Sequence, residues 1–130
     1  MTLLEWLKQQ GKALVIQGPQ GCGKGLLAMQ LAKSEGVCSN VHIEQVCGKN
    51  SKFQHWLNDL PDVVIVEGAP KLKHFDIIKP LIANNKILHH RKGVDSVEVK
   101  TPMFIFCTYD SKPFEAGKNN RRFYTIKMDA

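Results

Sequence analysis

An α/β fold with a mainly parallel sheet flanked by helices is predicted by the alternation of short apolar runs with amphipathic segments. The runs at residues 13–16, 63–66 and 103–107 are almost wholly apolar, as strands buried on both faces of a parallel sheet are. Between these runs lie segments with the apolar spacing of helices that cover a sheet. The length of 130 residues fits one domain, with residues 1–130 forming a single unit.

The first third of the chain is predicted to fold as helix, strand, helix and strand. Residues 1–11 form a short amphipathic lead-in helix, and the strand at 13–16 follows. After a glycine-rich loop, apolar residues between positions 26 and 32 indicate a helix that ends near Gly36. Residues 41–46 alternate apolar and polar side chains, so the second strand is expected there.

The middle of the chain is predicted to contain two helices around a buried strand. Ser51 can cap a helix that Pro61 ends, and the strand at 63–66 follows. Residues 75–82 have a helical pattern. A break is expected at Pro80, because a proline nitrogen has no hydrogen to donate.

The last third is predicted to begin with a basic hairpin. Two short strands within residues 86–100 meet at a turn that contains Gly93, so the hairpin precedes the fourth core strand at 103–107. The segment 111–120 is polar and contains proline and glycine, which predicts a loop. Residues 123–128 supply the last strand.

The charge balance favours an anionic partner. The chain has 18 Lys and Arg against 12 Asp and Glu, a formal net charge of +6. Nucleic acid is the commonest partner of such a surface, and a lysine-rich solvated surface is the alternative.

The 4 cysteines lack zinc-ligand spacing, so no metal site is expected from them. The absence of a secretory pattern or a long apolar run predicts a cytoplasmic protein, or a nuclear one in a eukaryotic host, with no membrane partner.

The strongest motif is a glycine-rich loop between the first strand and the second helix. Its residues match GxxxxGK, in which backbone N–H groups surround phosphates and the lysine neutralises their charge. ATP is the ligand expected here. Position 25 is glycine where a Ser or Thr hydroxyl normally binds Mg²⁺, so binding is better supported than hydrolysis. The residues expected to bind nucleotide are Gly18, Pro19, Gln20, Gly21, Cys22, Gly23, Lys24, Gly25 and Leu26.

From about residue 14 to residue 128 the chain resembles the ATPase domain of superfamily-three helicases, the AAA+ motors in replication-initiator proteins of small DNA viruses, plasmids and phages. The resemblance implies an AAA+-like P-loop fold with ATP and Mg²⁺ as cofactors. It further implies action on single-stranded DNA during replication and assembly into a homo-oligomeric ring such as a hexamer. Full initiators of this family also carry a nicking or origin-binding domain. The given sequence is therefore expected to be either an excised domain or a stand-alone protein that depends on an initiator or origin-binding partner.

The resemblance assigns catalytic roles to the ends of two strands. Glu67 follows an apolar run that is similar to the family's Walker B strand, and it corresponds to the catalytic base. Val66 stands where the family usually has a first acid. Thr108 and Asp110 follow the strand that resembles motif C, whose polar residues sense the γ-phosphate, and Asp110 replaces the family's asparagine. A capping or solvated carboxylate is the alternative role for Glu67.

The remaining residues that resemble functional elements of the family are basic. Arg121 and Arg122 resemble the arginine-finger segment, with Arg122 aligned best, and pairing with a carboxylate is the alternative for both. The hairpin resembles an element that grips single-stranded DNA, which implies contacts from Arg91, Lys92 and Lys100. A plain turn is the alternative for Lys92.

Two other functions remain open at this point. One is a regulatory or structural subunit that binds nucleotide without hydrolysing it. The other is a small nucleotide kinase, since adenylate kinases also place glycine after the loop lysine. Against the kinase, Leu26 occupies the place of the kinase threonine, and no arginine precedes residue 91.

Replacing both basic residues at the hairpin tip, Arg91→Ala with Lys92→Ala, is expected to weaken binding to single-stranded DNA. Loss of two phosphate contacts should make the negative slope of log affinity against log salt concentration shallower by about 1.4. ATP binding should be unchanged. Titration of a labelled oligonucleotide at several salt concentrations measures both quantities, and a wild-type slope would place the DNA-binding surface elsewhere.

Overall fold

The computed structural model describes residues 1–47, 57, 59–89, 95–117 and 121–129. Five helices are described, α1 (Leu3–Gln9), α2 (Lys24–Ala32), α3 (Ile43–Cys47), α4 (Phe75–Ala83) and α5 (Lys112–Glu115). Short 3-10 turns at Lys33–Glu35 and Leu72–His74 adjoin α2 and α4. The described strands are β1 (Ala13–Gln17), β2 (Cys38–His42), β3 (Val63–Glu67), β4 (Lys86–His89), β5 (Val97–Lys100), β6 (Met103–Thr108) and β7 (Phe123–Lys127).

A five-stranded parallel sheet forms the centre of the fold, in the order β2-β3-β6-β1-β7. The inner strands β1, β3 and β6 are buried along almost their whole length. This burial explains why their sequences are continuous apolar runs rather than alternating ones. The predicted α/β fold with a parallel sheet is therefore confirmed.

Each face of the sheet is covered by its own apolar layer. On one face, Leu14 and Ile65 pack with residues of α1 and α2 such as Leu7 and Ala28. On the other face, residues of β1, β3 and β6 pack with α3, α4 and α5. Successive side chains of a strand point to opposite faces, so every inner strand contributes to both layers.

Four phenylalanines anchor the second layer. Phe114 lies 5.3 Å from Phe75, 5.3 Å from Phe106 and 5.0 Å from Phe123, measured between ring centroids. Two of these contacts are edge-to-face, an arrangement that aromatic rings favour. The rings join α4 and α5 to the strands beneath them.

The predicted second strand was wrong in its boundaries. The strand β2 ends at His42, opposite Glu67, where its partner β3 also ends. Ile43 and Val46 are three positions apart and both buried, so the apolar side chains of α3 face the core with helical spacing. The Gln45 side chain accepts a hydrogen bond from the His42 N–H and supports this change of structure.

Two expectations based on proline were also wrong. The helix α4 continues through Pro80, because Phe75 and Ile78 anchor it to the core and the Pro80 carbonyl still accepts a bond from Asn84 N–H. Within 111–120, Pro113 lies in the first turn of α5. A first-turn nitrogen has no acceptor within its own helix, so proline fits there. The helix expected after Ser51 lies mostly outside the described residues.

The expected hairpin is present as its two strands. Lys86 is opposite Lys100, and Ile87 is opposite Val99. The strands form their own two-stranded sheet, in which Ile87 and Val99 pack against the core. The turn at 90–94 lies outside the described residues.

Replacing Phe114 with alanine is expected to lower the free energy of unfolding by about 3–5 kcal/mol, because the change leaves a cavity among tightly packed rings. Phe114 has no exposed surface. Urea denaturation followed by circular dichroism measures the loss. Leu72→Ala is the matched control, since Leu72 is 68% exposed and its truncation should have little effect. Equal losses in the two variants would contradict the described core.

Candidate functional site

The carboxyl ends of three neighbouring strands meet at one edge of the sheet. β6 lies between β1 and β3. Its Thr108 is opposite Gln17 at the end of β1, and its Cys107 is opposite Glu67 at the end of β3. Ligands of open parallel sheets bind beyond the carboxyl ends of the strands, so a ligand-binding site is expected at this edge.

Three glycines give the loop after β1 its shape. A Cβ atom on Gly18 would lie 2.6 Å from Cys22 Sγ and 3.1 Å from the Met128 carbonyl oxygen, so no side chain fits there. Gly21 and Gly23 have φ angles of 82° and 94°, which favour glycine. Nothing lies within 4 Å of the Cβ positions of these two glycines, which leaves the backbone accessible to a ligand.

The loop presents several donors to an anion. Lys24 Nζ donates to the carbonyl oxygens of Gly18 at 2.7 Å and Pro19 at 3.0 Å, which holds the ammonium against the loop. The helix α2 begins at Lys24, and no side chain caps it. The N–H groups of a first helical turn have no intrahelical acceptors and carry partial positive charge. A phosphate group can accept hydrogen bonds from them.

A cavity of about 460 Å³ opens between the loop and the neighbouring strand ends. Gln20, Lys24 and Gly25 line one side, while Glu67, Thr108 and Tyr109 line the other. This volume is within the range of small-molecule sites. The structure therefore brings Glu67 and Thr108 together with five of the nine predicted loop residues. The other four predicted residues do not line the cavity: Gly18, Pro19, Cys22 and Leu26.

Gly25 and Glu67 face each other across the cavity. A Cβ on Gly25 would lie 3.9 Å from Glu67 Oε1, so a side chain at position 25 would be in van der Waals contact with this carboxylate. Val66 has no exposed surface and packs in the layer that contains α3 and α4, on the opposite face. The residues present therefore fit a phosphate group well, but they offer a metal ion only the carboxylate of Glu67 from these three positions.

Cys107 lines the same cavity, which the sequence did not indicate. Its Sγ lies 3.9 Å from the Lys24 carbonyl oxygen. Burial, and then the negative charge of Glu67, raise the pKa of the Cys107 thiol to about 11. The thiol is therefore protonated at neutral pH and adds no charge to the site.

The two predicted sensor residues bond to their own turn. Thr108 Oγ1 donates to the Asp110 carbonyl oxygen at 3.0 Å and accepts from the Asp110 N–H at 3.1 Å. The Asp110 carboxylate accepts from the Lys112 N–H at 3.0 Å, at the start of α5. Asp110 is not among the residues that line the cavity.

The two predicted finger arginines lie at the amino edge of the sheet. The Arg122 carbonyl accepts a hydrogen bond from the Ala13 N–H at 2.8 Å, and its guanidinium lies near Gly11. The phosphate loop leaves β1 at the other end of that strand. Both arginines are exposed, and neither forms an ion pair with another described residue. The structure therefore does not bring Arg121 or Arg122 to the cavity of its own chain.

Of the predicted nucleic-acid contacts, only Lys100 belongs to the described residues. It is exposed at the end of β5, opposite Lys86, whose ammonium lies 3.6 Å from Glu98 Oε1. Arg91 and Lys92 lie outside the described residues. Across the described ranges, no group of His, Cys, Asp and Glu could hold a metal ion, and no helix could span a membrane.

A second cavity, of about 410 Å³, lies at the amino edge of the sheet. Lys8 is half-buried there and donates a hydrogen bond to the Thr101 carbonyl oxygen. Burial, and then the positive charge of Lys100, lower the pKa of Lys8. Because Glu35 and Asp62 also line this cavity and no glycine-rich loop reaches it, it is the poorer site for a triphosphate.

Comparison with known proteins supports the fold. Residues 16–122 match the model of a family described as a family of unknown function (DUF5906). The A form apo structure of the NrS-1 C-terminal region is 26% identical, with a TM-score of 0.73 over 97% of this chain and 33% of that one. A second structure of the same region is 26% identical, with a TM-score of 0.71 over 98% of this chain and 32% of that one. This chain thus spans about a third of the length of those structures.

A structure of JCV helicase bound to a small molecule is 18% identical, with a TM-score of 0.62 over 98% of this chain and 40% of that one. No curated protein matches the chain in sequence. The predicted resemblance is thus confirmed at the level of the fold, which this chain shares with the NrS-1 C-terminal region and with JCV helicase.

Replacing Lys24 with alanine is expected to weaken nucleotide binding by at least about a hundredfold, because the phosphates lose a charge-assisted partner. Titration of a fluorescent ATP analogue measures the affinity. Lys33→Ala is the matched control, since Lys33 follows the same helix but does not line the cavity. Retained affinity in Lys24→Ala would show that the loop is not the binding site.

Proposed function

Since the chain belongs to the family of unknown function DUF5906, we propose its function from its own site. The chain is an ATP-binding, helicase-type ATPase domain that acts on single-stranded DNA in replication. One observation carries this proposal. The glycine-rich loop with Lys24, the uncapped start of α2 and the carboxylate of Glu67 surround one cavity at the carboxyl edge of a parallel sheet.

The chemistry proposed for these residues is phosphoryl transfer to water. The loop N–H groups and Lys24 hold and neutralise the phosphates. Glu67 ends β3 as an exposed carboxylate and can orient a water molecule and accept its proton. Bound ATP would supply ADP as the leaving group, and Glu67 is the carboxylate that could hold a Mg²⁺ ion carried in with the nucleotide.

Hydrolysis is proposed to be slow. Gly25 offers no hydroxyl, and Val66 is buried on the opposite face of the sheet. The usual protein contacts to Mg²⁺ at these two positions are therefore absent. This observation also favours a second candidate function, a regulatory subunit that binds nucleotide without turning it over.

The positions of the arginines favour assembly into a ring. Arg121 and Arg122 lie at the amino edge, about 15 Å from the carboxyl edge for strands of five residues. That distance exceeds the reach of an arginine side chain, so these residues can meet a nucleotide only in another copy of the chain. The same distance disfavours a nucleotide kinase, because such an enzyme gathers phosphates with arginines from its own chain.

Single-stranded DNA is the proposed partner because a hairpin with basic residues forms a two-stranded sheet of its own. Lys86 and Lys100 face each other at its base, and Arg91 and Lys92 belong to its turn in the sequence. Cations along a narrow hairpin can contact a phosphate backbone without reading its sequence.

The direct test of the proposed function compares ATP turnover with and without single-stranded DNA. Nucleotide binding without any turnover would favour the regulatory subunit, and failure to bind nucleotide would exclude both functions.

Gly25→Ser is expected to raise ATP hydrolysis by about tenfold, equivalent to about 1.4 kcal/mol of transition-state stabilisation. The new hydroxyl would lie beside Glu67 and provide the missing contact to Mg²⁺. Steady-state phosphate release at several Mg²⁺ concentrations measures the effect. Gly25→Ala is the matched control, because it adds the same Cβ without a ligand atom. A similar rate in both variants would show that this contact does not limit turnover.

Arg122→Ala is expected to bind nucleotide normally but to hydrolyse it about 10³–10⁵ times more slowly, the range seen for arginine fingers. Mixing it with Glu67→Gln should restore part of the activity. Some interfaces of the mixed assembly then combine an intact Glu67 with an intact arginine from the neighbour. Phosphate release by the mixture is compared with that of each variant alone, after subunit exchange has been demonstrated. No recovery in exchanged assemblies would argue against an arginine that acts on the neighbouring copy.

A further inference from the structure

The cavity holds few groups that can donate a new hydrogen bond from its strand side. A hydroxyl group has a single hydrogen, and that of Thr108 is already bonded to the Asp110 carbonyl oxygen. Glu67 is an acceptor when ionised. The Cys107 thiol is a weak donor and already faces the Lys24 carbonyl oxygen. The side chains expected to sense the terminal phosphate therefore offer it no unbonded hydrogen.

Tyr109 is the remaining polar side chain on this side of the cavity. It is 69% exposed and lines the cavity together with Lys24 and Glu67. Its backbone carbonyl accepts a hydrogen bond from the Gln17 side chain at 3.2 Å, which ties this turn to the end of β1. Its phenol forms no hydrogen bond with another residue of the described chain.

The topology places Tyr109 beside the loop, because the Gly18 N–H donates a hydrogen bond to the Thr108 carbonyl oxygen. Tyr109 follows the last residue of β6, and β6 lies between the strand that carries the loop and the strand that ends in Glu67. The loop backbone surrounds the inner phosphates of a bound nucleotide, and the loop lysine reaches the β- and γ-phosphates. A donor that approaches from the strand side, near Lys24 and Glu67, therefore meets the terminal phosphate first.

We infer that the Tyr109 hydroxyl donates a hydrogen bond to the γ-phosphate and makes this site prefer a nucleoside triphosphate over a diphosphate. The inference rests on the proposed nucleotide-binding function and adds a specificity-determining residue to it. A phenol hydroxyl can donate one hydrogen bond as well as accept others. It can therefore donate where the carboxylate of Asp110, bonded to the Lys112 N–H, cannot.

Tyr109→Phe tests this role, because it removes the hydroxyl and keeps the ring. Affinities for ADP and for the slowly hydrolysed β,γ-imido analogue of ATP are measured by calorimetry. The variant is expected to bind the imido analogue about tenfold to a hundredfold more weakly, the effect of one lost hydrogen bond to a charged group. Its affinity for ADP should be unchanged. Tyr124→Phe is the matched control, since Tyr124 is 44% exposed on β7 and does not line the cavity.

The outcomes separate this inference from the function on which it rests. A loss confined to the imido analogue supports the γ-phosphate contact. An equal loss for both nucleotides would indicate a merely structural role, and no loss for either would also overturn the inference while leaving the nucleotide site intact. Wild-type protein that binds neither nucleotide would overturn the proposed function itself, before any variant is compared.

Discussion

The parallel pairing of β6 with both β1 and β3 is the constraint on which the site depends. This pairing sets Thr108 beside Gln17 and Cys107 beside Glu67, so three separate segments of the chain end at one edge. The hydrogen bond from Gly18 N–H to the Thr108 carbonyl oxygen, 3.1 Å long, then fixes the first residue of the loop to the end of β6. A shift of one residue in this register would turn Glu67 to the opposite face of the sheet.

The sheet could be predicted from the sequence wherever burial on both faces leaves a continuous apolar run, as in β1, β3 and β6. The prediction of secondary structure failed at residues 41–46, whose apolar positions fit a strand in one part and a helix in the other. Val41 and Ile43 alternate as in a strand, whereas Ile43 and Val46 have the spacing of a helix. The end of β3 opposite His42 is where the strand gives way to the helix. Pro80 and Pro113 were misjudged because the effect of a proline depends on its place in a helix and on the packing of that helix.

The loop could be predicted because its glycines and lysine are close together in sequence and their roles are local. Glu67 followed from its position after an apolar strand. The place of Tyr109 could not be derived in this way, since it depends on where the turn after β6 leads. The sequence also gave no sign that the Thr108 hydroxyl and the Asp110 carboxylate would be used within that turn. Each of these bonds depends on how the chain leaves the sheet, which periodicity does not describe.

The two edges of the sheet differ in the chemistry that they present. The carboxyl edge holds the loop, Glu67 and Tyr109 around one cavity, whereas the amino edge presents Arg121 and Arg122 to solvent. In a parallel sheet these edges are separated by the full length of the strands, and no side chain spans that distance. If the arginines take part in the reaction, the catalytic unit is therefore an interface between two copies, and the affinity of that interface becomes part of the activity. Such an arrangement couples nucleotide binding to assembly without any movement within the sheet, because the same phosphates contact groups from both copies.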